Sequence, residues 1–248
     1  MQQAAIILAR AIAFIEAYDL VPRGGLFYPD FVREIVQRYN FQKFPKEFKD
    51  FDESKGIEFQ QGKSGDTVID KAIIYNTGIL MDTRSSTKIS QTLIEDALLW
   101  AKSEFGVVYQ PGQIKDYAFV SQVTFYSEIN LTALNPALHR LVEQVTSAVN
   151  DIHKEQLEYE TAGLSIQYDM LKRKYALAAF TISRRLEAPF SEHKYFSESP
   201  LPTDLHWKLL EEFEAAILGQ APHDIESPSP RRADISKPSV RKFRTEDE

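Results

Sequence analysis

Residues Ala72–Gly106 read AIIYNTGILMDTRSSTKISQTLIEDALLWAKSEFG, and the reading of this stretch decides the fold. It opens on an apolar run of strand length and turns polar over Asp82–Lys88. It then carries Leu93, Ile94, Ala97, Leu98, Ala101 and Phe105 at helical spacing until Gly106, a natural stop. In the run from Ala72 to Met81 both alternating faces are apolar, which predicts one central strand covered on both sides. Gly78 within it predicts a bulge or a close backbone approach.

The polar turn sets hydroxyls and two cations beside a helix N-terminus, where unpaired N–H groups and the helix dipole favour an anion. Arg84, Ser85, Ser86, Thr87 and Lys88 are therefore candidate ligands for a small anion or a nucleotide. The same residues also have an architectural reading: Ser86 or Thr87 caps the helix while Arg84 and Lys88 point to water.

Upstream, Gln3–Tyr18 is apolar around nearly its whole helical circumference. This predicts a helix that is buried or covered by a partner, with Ile7 and Ile12 as candidate partner-binding residues. Pro22–Gly25 breaks it, and a second helix starts near Tyr28 with Phe31, Val32, Ile35 and Val36 on one face. Phe41, Phe44, Phe48 and Phe51 follow at helical spacing with Lys43, Lys46 and Lys49 between them. A short core helix with a solvated lysine side explains this more simply than an aromatic, basic face for a nucleic-acid strand. Ile57–Phe59 reads as a strand.

Downstream, a strand is expected over Tyr117–Ser127. Asn135 and Pro136 then open a helix as cap and first residue, carrying the stripe Leu138, Leu141, Val142, Val145, Ala148, Val149 and Ile152. Leu164–Met170 and Tyr175–Ser183 predict an antiparallel hairpin about Leu171–Lys174, and a last helix runs from Thr203 to Gly219. The sum is an α+β domain over 1–219, with a mainly antiparallel sheet of about five strands flanked by about six helices. No internal repeat is visible. Residues 220–248 hold four prolines and mixed charge without apolar periodicity, which predicts a disordered tail. Arg241, Lys242 and Arg244 in it are candidate docking residues.

The net charge of −7 over 248 residues argues against a dedicated nucleic-acid binder, leaving only the tail for such a contact. Absence of cysteine removes thiolate chemistry and cysteine-built zinc sites and fits a reducing, cytoplasmic setting. The interrupted apolar N-terminal run fits neither a signal peptide nor membrane insertion. The five histidines show no metal-ligand spacing, and no Walker loop, GxGxxG or GxSxG elbow appears, so no cofactor or metal is implied.

The leading expectation is a non-catalytic interaction subunit or accessory of a larger assembly, with a protein partner or self-association. An anion- or nucleotide-binding module at 82–88 is the alternative. A metal-dependent hydrolase or nuclease built on Glu58, Asp70 and Asp82, attended by Lys71 or Lys88, comes third.

Overall fold

The first strand and the fifth lie side by side and antiparallel, and the rest of the chain is arranged outward from that pair. A computed structural model of the protein describes residues 1–21, 27–52, 54–114, 116–169, 171 and 176–219. The strands are β1 (Gln2–Phe14), β2 (Ile57–Ser64), β3 (Thr67–Tyr75), β4 (Gly78–Thr83), β5 (Tyr117–Tyr126), β6 (Gly163–Ile166), β7 (Phe180–Arg184) and β8 (Lys194–Ser199). They form one sheet in the order β2-β3-β4-β1-β5-β8-β7-β6, and every neighbouring pair is antiparallel. The helices are α1 (Ala17–Leu20), α2 (Tyr28–Tyr39), α3 (Thr87–Phe105), α4 (Pro136–His153) and α5 (Thr203–Ile217). The α+β class and the antiparallel sheet are thus as the sequence implies, with eight strands and five helices among the described residues in place of about five and about six.

The largest correction falls on the opening segment. Gln2–Phe14 is not a helix but the strand β1 at the middle of the sheet, followed only by the single turn α1. Its residues alternate: Ala9, Ala11 and Ala13 are fully buried, while Leu8, Arg10, Ile12 and Phe14 face the other way and are half-buried. Three alanines on one face let α3 come close, and the Ser90 hydroxyl donates to the Ala9 carbonyl at 2.7 Å. A run apolar at both periods looks helical by itself; only pairing on both sides makes it a strand.

Other elements shift in smaller ways. The expected single strand Ala72–Met81 is the end of β3, a turn at Asn76–Thr77 and the start of β4. Gly78 is a close backbone approach as expected, since a Cβ there would lie 2.6 Å from the Ala13 carbonyl oxygen. The expected helix over the Phe41–Phe51 segment reduces to one 3-10 turn at Phe48–Asp50. Phe41 is nevertheless in the core, and Lys43 bridges Gln60 beside β2. The expected hairpin forms between β6 and β7, but its strands are shorter than expected and Met170 and residues 172–175 lie outside the described residues. β8 was not expected at all, because Ser197 and Ser199 occupy its buried face. The expected break at Pro22–Gly25 and the tail 220–248 also lie outside the described residues.

Chain order and sheet order together reveal a duplication. β1-α2-β2-β3-β4-α3 and β5-α4-β6-β7-β8-α5 each run strand, helix, three strands, helix, and the two halves meet at β1 and β5. Ala9 pairs with Ser121 across the junction; Thr83 pairs with Ala9 in the first half and Ser199 with Ser121 in the second. Going on from Thr83 and Ser199, Thr87 matches Thr203, Ser90 matches His206, and Ile94 matches Leu210. Ile94 and Leu210 are both fully buried.

Two apolar cores lie on one face of the sheet. In the first, α2 and α3 cover Ala11, Ala13, Ile57, Phe59 and Ile69; in the second, Leu210 of α5 packs with Val123, Phe125, Ile182 and Tyr195. No described helix is long and apolar enough to cross a membrane.

Candidate interaction surface

The junction 82–88 forms part of a joint between the two halves, with Asp82, Thr83 and Thr87 buried and Arg84 and Lys88 exposed. Asp82 is almost fully buried and receives two hydrogen bonds from the Arg10 guanidinium directly across on β1, Nε to Oδ1 and Nη2 to Oδ2, each 2.7 Å. That bidentate pair, backed by the carboxylate's proximity, holds the guanidinium pKa above its ordinary value. Ser86 caps α3 by accepting the Ile89 N–H at 3.2 Å. The Thr87 N–H donates to the Thr203 hydroxyl at 3.1 Å, and the Thr203 N–H donates back to the Thr87 hydroxyl at 2.9 Å. Each helix of the matched pair so lends its first side chain to the other's free backbone donor. Arg84 turns back to Asp70 at 2.9 Å, Lys88 is exposed, and Ser85 is half-buried with its N–H on the Thr83 hydroxyl. The five residues are contiguous, but two of the α3 donors that an anion would use are engaged within the protein.

The carboxylates considered for metal chemistry are each matched to a separate cation. Asp82 pairs with Arg10, Asp70 with Arg84, and Glu58 with Lys71 at 3.2 Å. Among the described residues no group of three or more His, Asp or Glu is placed to hold a metal ion.

Sequence reasoning missed a serine–histidine cluster. His206, on α5, is fully buried. Its Nε2 lies 2.8 Å from the Ser197 hydroxyl on β8 and its Nδ1 lies 3.1 Å from the Ser121 hydroxyl on β5. Ser197 donates its own proton to the Thr181 carbonyl at 2.6 Å. Its oxygen therefore accepts from Nε2–H, and Nδ1 accepts from Ser121. A neutral ring is fully satisfied in this way, and burial pushes its pKa down to about 4. The corresponding position in the other half, Ser90, bonds the Ala9 carbonyl and the Thr83 hydroxyl. The cluster ties a helix to its sheet. Its members lie 85 and 9 residues from His206 in the chain, so no local spacing could have announced it.

The expected partner residues of the opening segment fall on the sheet. Ile12 is half-buried between Leu80 and Ala118 on the face that bears none of the apolar cores. Ile7 sits at the irregularity between Ile6 and Leu8, which turns it 43% exposed. Arg241, Lys242 and Arg244 lie outside the described residues.

The strongest exposed apolar feature is α4. Its start is as expected, with Asn135 accepting the Ala137 N–H at 2.8 Å and Pro136 in the first turn. Its matched helix α2 buries Phe31, Val32, Ile35 and Tyr39, whereas α4 buries no residue. It is held instead by the segment that follows it. Asn150 exchanges two hydrogen bonds with the Leu157 backbone, at 2.9 and 2.8 Å, and the Tyr159 N–H reaches the Thr146 hydroxyl. A groove of about 500 Å³ lies along this side, lined by Leu134, Leu138, Val142, Thr146 and Tyr159 among others. Outside the groove, Leu141 and Ile152 are 53% and 73% exposed. No family model matches the sequence, and no curated protein is detectably similar to it.

Proposed function

We propose that the protein is a non-catalytic interaction subunit that joins a larger assembly through the outer face of α4. One observation carries this reading: the helix that stands at α2's place in the chain order of the second half keeps a full apolar stripe but fully buries none of it, whereas α2 buries four residues. Exposed apolar surface of that extent on a water-soluble helix is costly unless another chain covers it. The other sheet face, where Ile12 and Arg10 are half-buried, would be a second surface for the same assembly. The lack of cysteine suits a cytoplasmic setting, and the basic tail residues Arg241, Lys242 and Arg244 would assist docking.

The test is capture by the full chain from an extract of its source, with the wild type and a Leu141→Glu/Ile152→Glu variant side by side. Both side chains are exposed, so the variant should keep its fold and thermal midpoint while losing specific partners that the wild type retains. Equal capture by the two proteins overturns the reading. A second arm lacking residues 220–248 reports the tail's share.

A further inference from the structure

We propose that the groove beside α4 is the seat of residues 231–244 of the same chain, docked in cis. The groove joins apolar and acidic side chains. Leu138, Val142 and Tyr159 line it together with the carboxylates of Glu143, Glu158 and Glu160. Among the described residues no Lys or Arg lines it. Glu160 is already engaged by Arg184 and Asn130, whereas Glu143 reaches the His139 imidazole at 3.4 Å. Leu138 and Tyr159 are both exposed, so an apolar side chain seated between them would remove their surface and its own from water.

The segment has the complementary chemistry. Residues 231–244 read RRADISKPSVRKFR, with six cations against one acid. They are a cationic stretch in a chain whose net charge is −7. Val240 and Phe243 are its large apolar residues beside Arg241, Lys242 and Arg244. An aromatic ring with flanking guanidinium groups suits an apolar groove edged by carboxylates, because the ring is buried while the cations bond the acids. A groove of about 500 Å³ has room for that ring and its neighbours.

The place where the described chain ends selects this segment over any other cationic peptide. Glu214 of α5 accepts the Glu128 N–H at 3.2 Å. Leu210 and Phe213 of α5 share a core with Ile129 and Leu131, whose neighbours Asn130 and Thr132 line the groove. The last turn of α5 is therefore attached to the backbone that builds one end of the groove. Residues 220–240 tether Arg241 to that point. Fully extended they reach about 70 Å, several times the radius of gyration of about 17 Å expected for a body of this size. A tether of this kind holds its end at an effective concentration on the order of 1 mM. A contact with a dissociation constant of about 0.1 mM would then be closed about nine-tenths of the time. Seated there, the segment lies along α4, next to the face proposed to meet the assembly.

The experiment uses the full chain, which has no native cysteine. Two double variants are compared under mild oxidation at about 1 μM: Ser147→Cys/Thr245→Cys, with one cysteine in the groove lining, and Leu99→Cys/Thr245→Cys, with one at an exposed site on α3. The first should form a disulfide within the monomer about tenfold faster than the second. Adding Phe243→Ser, or Glu143→Lys with Glu158→Lys, should remove that advantage. Adding Arg241→Glu and Arg244→Glu to the lysine variant should bring it back. Equal rates at the two sites, or a link at Ser147 indifferent to charge reversal, overturn the proposal. Linked dimers in place of linked monomers assign the groove to another copy's segment and overturn docking in cis. Leu141 and Ile152, which the capture experiment alters, do not line the groove, so either reading can fail while the other stands.

Discussion

Acidification should weaken this fold through His206. The ring is fully enclosed, both nitrogens are occupied by serine hydroxyls, and burial alone depresses its pKa to about 4. In the unfolded chain the same imidazole titrates near 6.5. Because the folded value is the lower one, the unfolded chain takes up the proton first as pH falls. The stabilising contribution is complete above about 6.5, declines between there and about 4, and changes little below. Integrating that window, the loss is roughly 2 kcal/mol between pH 7 and 5 and roughly 3 kcal/mol between pH 7 and 4. Carboxylates also titrate in this range, so the measurement is a difference. Urea unfolding followed by far-UV circular dichroism is compared for the wild type and His206→Gln, whose amide keeps a donor and an acceptor. The variant should be less stable at pH 7 by about 1–3 kcal/mol. The gap should close as pH falls, with the two curves converging or crossing near pH 4. Curves that stay parallel from pH 7 to 4 would refute the reasoning, since they would mean the cluster accommodates an imidazolium.

Three further outcomes follow from packing. Arg10→Ala should cost about 3–5 kcal/mol in denaturant unfolding, because it strands the buried Asp82 carboxylate, and Asp82→Asn in the same chain should recover part of the loss. Ile94→Ala and Leu210→Ala, at matched and fully buried positions, should each cost about 2–5 kcal/mol, while Leu99→Ala on the exposed side of α3 should stay within about 0.5 kcal/mol. Gly78→Ala should lower the thermal midpoint, because its methyl would meet the Ala13 carbonyl oxygen at 2.6 Å and force β1 and β4 apart. An unchanged midpoint would show that the two strands part without cost.

The duplication explains why one half is easy to read and the other is not. In the first half, α2 brings Phe31, Val32 and Ile35 onto the sheet, and apolar periodicity suffices to find them. In the second, the buried face of β8 is Tyr195, Ser197 and Ser199, with hydroxyls that serve His206 and the strand's neighbours. A strand whose inward residues are serines carries no hydrophobic alternation, so it cannot be found by period alone. The repeat is hidden for the same reason: Ser90 and His206 do equivalent work, joining helix to sheet, with unlike chemistry.

What the sequence alone determined are features set by neighbours within a few residues. These are the stop at Gly106, the cap at Asn135, the first turn at Pro136 and a cap of α3 at Ser86 or Thr87, which the structure gives to Ser86. Each depends on local backbone hydrogen bonds that a single turn can satisfy. Tertiary structure alone decided that Gln2–Phe14 is a strand, that Arg10 meets Asp82, that Thr87 and Thr203 trade hydroxyls across 116 residues, and that the stripe of α4 turns outward. Those outcomes rest on partners far along the chain. An apolar run records only that it must be covered, and what covers it is settled by the other strands, the other half, or another molecule.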